Sequence, residues 1–151
     1  MIFAGLILAS AATAPPMTCR EDPEVRHAIE AVIDRFVRGL ESGDVDAMMQ
    51  AYSPDLVYMP EAIATDHGRE GTRKGFEAMI RRYEARLDVR IDEVMACPGF
   101  AYDIGKVTLT LTPRAPGKKM VRTRRFLEIW RLESGKWKVL RAMSNIDAGS
   151  Q

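Results

Sequence analysis

The chain has 151 residues, 46% of them hydrophobic, and its 22 basic and 21 acidic side chains leave a formal net charge of +1. That length suits one domain able to bury a core without metals or many disulfides. The near cancellation of charge excludes a global field that would draw nucleic acid or an anionic membrane.

Residues 1–14, MIFAGLILASAATA, place an apolar block from Ile2 to Ala9 ahead of small residues. The block is too short to span a bilayer as a helix, and Ser10-Ala11-Ala12 or Ala12-Thr13-Ala14 suits cleavage. It is expected to be a signal peptide, although no Lys or Arg precedes the block. Export to the periplasm or the medium follows, with no stable membrane insertion of the mature chain. Residues 15–23, PPMTCREDP, read as a linker. Cys19 in that linker and Cys97 are the only cysteines, which allows one bridge in an oxidising compartment. The residues alone leave open whether they pair or remain separate thiols.

A first helix is expected from Pro23, with Val25, Ala28, Ile29, Val32, Ile33, Phe36, Val37 and Leu40 at helical spacing. Gly43 breaks it, and Asp44 caps a short second helix carrying Val45, Met48, Met49 and Tyr52. Pro54-Asp55 turns the chain into a strand, Leu56 to Met59, which stops at Pro60. A loop holding Asp66-His67-Gly68-Arg69 leads to a third helix over 72–87, with Phe76, Met79, Ile80, Tyr83 and Leu87 on one face. From Asp88 the period changes to two, and punctuation at Pro98-Gly99, Pro113 to Gly117 and Ser134-Gly135 divides strands over 88–97, 100–112, 120–133 and 136–147. Hairpin-length turns make these four antiparallel.

Helices followed by a long meander predict an α+β fold over 24–147 as a single domain, with 148–151 a tail. Strands this long must bend with the twist of the sheet, and a bent sheet over helices encloses a hollow.

Arg35-Phe-Val-Arg-Gly-Leu-Glu-Ser-Gly-Asp-Val-Asp-Ala-Met-Met-Gln-Ala-Tyr-Ser-Pro-Asp-Leu-Val resembles the opening of the nuclear transport factor 2-like superfamily, which includes ketosteroid isomerases and SnoaL-like polyketide cyclases. Phe100-Ala-Tyr-Asp-Ile-Gly-Lys, Glu128-Ile-Trp-Arg-Leu-Glu-Ser-Gly-Lys-Trp-Lys-Val and Ser144-Asn-Ile-Asp resemble its SnoaL-like branch. The resemblance implies a cone, with three N-terminal helices packed on a strongly curved antiparallel sheet. It also allows a comparison with isomerase chemistry, which needs a carboxylate base and a hydroxyl donor. The positions that match those of the base and the oxyanion tyrosine hold Met59 and Phe36, so classical steroid isomerisation is not expected.

Asp103 lies on a strand face with Ala101, Gly105, Val107, Leu109 and Leu111, apolar enough to face the hollow, where it would act as a proton carrier or as a hydrogen-bonded brace. Asn145 and Asp147 share a face of the last strand with Trp137, Val139, Arg141 and Met143, and could orient a ligand carbonyl or cap a sheet edge. Tyr58 is a further donor. His67 is a loop histidine without a ligand-spaced partner, so no metal and no cofactor are expected. Runs such as Arg122 to Arg125 read as solvated faces, without the aromatic platform of a nucleic-acid surface.

Met48, Tyr52, Tyr58, Met59, Phe126 and Trp130 form the expected apolar lining. Both faces of the last strand are partly apolar, which implies a homodimer through the sheet face. Three functions stay open: binding of a small hydrophobic molecule; proton transfer on a hydrophobic carbonyl substrate, with Asp103 or Asp147 as the proton carrier and Tyr58 or Asn145 at the oxyanion; and an oligomerisation module.

Overall fold

The computed structural model describes residues 18–146; the expected signal peptide, Asp147 and the tail lie outside them. The first helix, α1 (Pro23–Ser42), starts where Asp22 Oδ1 accepts the backbone N–H groups of Glu24 and Val25 at 3.0 and 3.2 Å. It ends at Gly43, whose φ of 77° suits a residue without a Cβ. Asp44 then caps α2 (Val45–Met49) through the Ala47 N–H at 2.9 Å. Ile29, Val32 and Leu40 of α1 join Met48, Met49, Leu56 and Val94 in the buried core.

Strand β1 (Tyr52–Met59) begins four residues earlier than the sequence suggests, because Val139 donates its N–H to Ala51 O at 2.8 Å and draws this stretch beside the last strand. A two-residue strand, β2 (Asp66–His67), pairs with it antiparallel. Helix α3 (Arg69–Arg82) stops at Arg82, not near Leu87. Tyr83, Ala85, Leu87, Val89 and Ile91 fit a period of two as well as the helical period fits Tyr83 and Leu87. The strand wins because β3 (Tyr83–Cys97) pairs along its length with β4 (Phe100–Pro113), from Tyr83↔Pro113 to Cys97↔Phe100. Strands β5 (Met120–Glu133) and β6 (Lys136–Ile146) complete one open, curved sheet of order β2-β1-β6-β5-β4-β3. All neighbours are antiparallel except β1 and β6, which run parallel, so the sheet is mixed rather than purely antiparallel.

Two irregularities shape its concave face. In β3 the register shifts between Ile91 and Glu93, opposite Gly105. A Cβ on Gly105 would collide with the Arg90 carbonyl oxygen and come within 2.9 Å of the Phe126 ring, so the strands close up only over a glycine. In β6 the register steps from Ile129↔Arg141 to Trp130↔Val139, leaving Leu140 as an extra residue. Side-chain parity therefore reverses there.

The N-terminal arm is fixed at the far edge. Cys19 and Cys97 form a disulfide, and Arg20 and Ala96 exchange both backbone hydrogen bonds, at 2.9 and 2.8 Å. No helix among the described residues is long and apolar enough to cross a membrane.

Candidate functional site

Helices α1 and α3 and the concave sheet face enclose a cavity of about 410 Å³, within the range of small-molecule sites. Its walls are mostly apolar. Leu87, Val89, Val107 and Leu109 form the side from β3 and β4, while Phe36 meets Tyr52 and Phe76 edge-on at centroid distances of 5.7 and 5.5 Å.

Alternation along β5 sends Arg122, Arg124, Phe126, Glu128 and Trp130 into this space. Glu128 stands directly opposite Asp103 of β4, a pairing that brings Cβ atoms to about 5 Å. Asp103 is fully buried behind the cavity wall rather than in it. Its Oδ1 accepts the Trp130 indole N–H at 2.9 Å, and its Oδ2 is buried without a hydrogen-bond partner among the described residues.

Burial raises the pKa of both acids. Asp103 goes from 3.8 to about 7, driven by desolvation and opposed by the Trp130 hydrogen bond, its own backbone bond and the charge of Arg26. Glu128 lies well above the ordinary carboxyl value, through desolvation first and the Asp103 charge second. The limited solvent exposure of Glu128 is to the cavity itself, which is why a half-buried residue is so strongly desolvated. Near neutral pH the pair holds at least one proton, at the closed end of an apolar space.

Two phenols stand nearby. Burial raises the Tyr58 pKa while a hydrogen bond from Ser144 opposes it, and burial also raises Tyr52, with the Glu128 charge next. Both remain neutral donors at physiological pH.

Tyr52, Tyr58, Phe126 and Trp130 all line the cavity, as does Phe36. Met48 is fully buried in the core beneath it and does not line it. Met59 follows Tyr58 along β1 and so points to the other face of the strand, and it does not line the cavity either. Asn145 was expected to share the Val139 face. The extra residue in β6 instead puts Ala142 and Ser144 on the concave side, and Asn145 on the outer face, where Arg125 Nε donates to its Oδ1 at 3.0 Å. His67 is exposed on β2, and Asp147 lies outside the described residues. No cluster of three or more His, Cys, Asp or Glu with metal-binding geometry occurs among the described residues.

Glu128 went unrecognised from the sequence. A signal for it existed, because it falls between Phe126 and Trp130 at a spacing of two, and a lone carboxylate between two lining aromatics on one strand face must be buried.

A family model described as a SnoaL-like domain matches residues 33–140. No curated protein matches the chain. Among solved structures it is similar to a conserved protein of Planctomyces limnophilus, with 18% identity, TM-score 0.76, and coverage of 81% of this chain and 97% of that one. It also resembles a ketosteroid isomerase-like protein of Erwinia carotovora atroseptica, with 19% identity, TM-score 0.70, and coverage of 82% and 96%. A third likeness is to an NTF2-like protein with a cystatin-like fold from Novosphingobium aromaticivorans, with 19% identity, TM-score 0.70, and coverage of 84% of each chain. At these identities the likeness is one of fold.

Proposed function

The chain belongs to the family of SnoaL-like domains, whose fold leaves the function to the site, and on that premise we propose that its cavity binds a small, mostly apolar molecule carrying a carbonyl or hydroxyl group. The observation that carries this reading is Glu128, a carboxyl with a raised pKa at the end of an apolar space of about 410 Å³. A neutral carboxyl there donates a hydrogen bond to the ligand's oxygen, and Tyr58 is a second donor on the same surface. Titration with 2-acetonaphthone, followed by tryptophan fluorescence, tests it. Saturable binding is expected, and Leu109→Trp, which fills the cavity, should weaken it at least tenfold while the protein stays folded. A failure of 2-acetonaphthone and of matched apolar ketones and alcohols to bind would sink the reading.

The carboxyl pair favours a second reading, proton transfer on such a carbonyl compound. In the alternative arrangement, with the pair's proton on Asp103, Glu128 is an anion that borders the ligand and can take a proton from the carbon beside the carbonyl. Tyr58 then donates to the developing enolate oxygen, and Asp103 acts as a positioning residue behind Glu128. Deuterium exchange into 2-tetralone in heavy water is expected to be accelerated, and Glu128→Gln should slow it by about 10²–10⁴-fold. Equal exchange rates for the variant and the wild type would remove Glu128 as the base.

Export and self-association belong to the same proposal. The Cys19–Cys97 disulfide is compatible with an oxidising, exported location. An intact Met1 on native protein from the cytosol, seen by mass spectrometry, would contradict export. Leu127, 38% exposed on the outer sheet face, supports a homodimer there. Light scattering should show twice the monomer mass, reverting to the monomer in Leu127→Asp.

A further inference from the structure

Arg122 and Arg124 project from β5 at the open end of the cavity, on the face that carries Glu128 at the closed end. Arg124 is 19% exposed at its side chain, and its Nε donates to Glu61 Oε2 at 2.9 Å. Glu61 lies in the turn after β1, beside Ala62 at φ 56° and close to Ile63, which lines the cavity yet is 70% exposed. Arg122 is exposed and forms no ion pair among the described residues. Asp66 also borders the cavity, but its Oδ2 is taken by the buried Thr72 hydroxyl at 3.1 Å. A turn carboxylate thus binds one of the two guanidinium groups that line this apolar space and leaves the other, Arg122, without an ion pair among the described residues.

We propose that the ligand is an amphipathic anion, an apolar body ending in a carboxylate, which Arg122 and Arg124 grip in the place of Glu61. The chemistry is that of the bond already present. A carboxylate on Arg124 is what the protein itself supplies through Glu61, and a ligand carboxylate reproduces it bidentately while also engaging Arg122. Displacing Glu61 costs little, because its partner is rebound and its own carboxylate is released into solvent at the rim. Arg124 lies four residues from Glu128, about 13 Å along the strand. The ligand that uses both ends is therefore an apolar keto or hydroxy acid with its two oxygen functions at opposite ends.

This inference rests on the cavity being a small-molecule site, and a matched pair of probes separates the two ideas. 6-Acetyl-2-naphthoic acid and its methyl ester share the ketone and the ring system, and only the acid is charged. Wild-type protein is expected to bind the acid at least tenfold tighter than the ester at low salt, with the advantage shrinking as salt is added. Arg122→Gln, at an exposed position where folding is not at risk, should reduce the acid's advantage several-fold without changing ester binding. Glu61→Gln should strengthen acid binding. Equal or tighter binding of the ester, or an acid advantage untouched by Arg122→Gln, overturns the inference and leaves the cavity reading intact. If neither probe binds, this inference falls, and if 2-acetonaphthone and the matched ketones and alcohols fail as well, the cavity reading falls with it.

Discussion

The wild-type protein should lose stability relative to its Asp103→Asn variant as pH rises from 4 to 7. An unfolded Asp ionises around 3.8, whereas buried Asp103 holds its proton to about 7. Between those values the folded state binds a proton that the unfolded chain has released, so raising the pH pulls the equilibrium towards unfolding. The contribution is fully present below pH 4 and gone above 7, and its size is on the order of 4 kcal/mol. Glu128 adds to the fall in the same direction, because its pKa is also raised, by burial first and by the charge that Asp103 acquires second. Asn keeps the Trp130 hydrogen bond through its Oδ1 and never ionises, so Asp103→Asn should overtake the wild type in stability near neutrality. Urea unfolding of both proteins at intervals from pH 4 to 8 reads the difference. A stability difference that does not change with pH would show that Asp103 ionises normally in the fold.

Removing the disulfide should be the other large effect. Cys19 and Cys97 are 78 residues apart, and in the chain-entropy description a closed loop of that length stabilises the fold by about 4.5 kcal/mol at 25 °C. The Cys19→Ser, Cys97→Ser double variant should lose most of that, and reduction of the wild type should cost the same. Residues 24–147 are proposed to fold as one unit, so unfolding should remain a single transition that moves to lower denaturant. An unchanged midpoint would mean that the two Arg20–Ala96 backbone bonds alone hold the arm.

The parts of this architecture that local chemistry dictates were legible in the sequence. Pro23 starts α1, Gly43 ends it, Asp44 starts α2, and the turns after Cys97 and Glu133 mark the hairpins. Less legible were features decided by pairing between distant strands. Tyr83 to Leu87 fit two periods equally well, and only the partner strand β4 selects one. The extra residue at Leu140 leaves no mark in composition, yet it reverses the parity of β6 and takes Asn145 from the cavity side to the outer face. Met59 and Tyr58 both read as lining on apolar character, but neighbours on one strand point to opposite faces, and only Tyr58 reaches the cavity.

The candidate site divides in the same way. Asp103 stood out as a lone carboxylate on an apolar face, and its burial follows from that face being the concave one. The importance of Glu128 depends on the register that sets it opposite Asp103, which no single strand reveals.

Carbon-13 NMR of the Glu128 side-chain carboxyl, titrated from pH 4 to 9, tests the central claim most directly, with Glu128→Gln identifying the resonance. The expected result is a Glu128 carboxyl that titrates well above the ordinary glutamate range, with a midpoint that falls when Asp103 is replaced by Asn and the neighbouring charge is lost. A carboxyl that titrates in the ordinary glutamate range, whether or not Asp103 is present, would contradict the existence of a proton-holding pair at the end of the cavity.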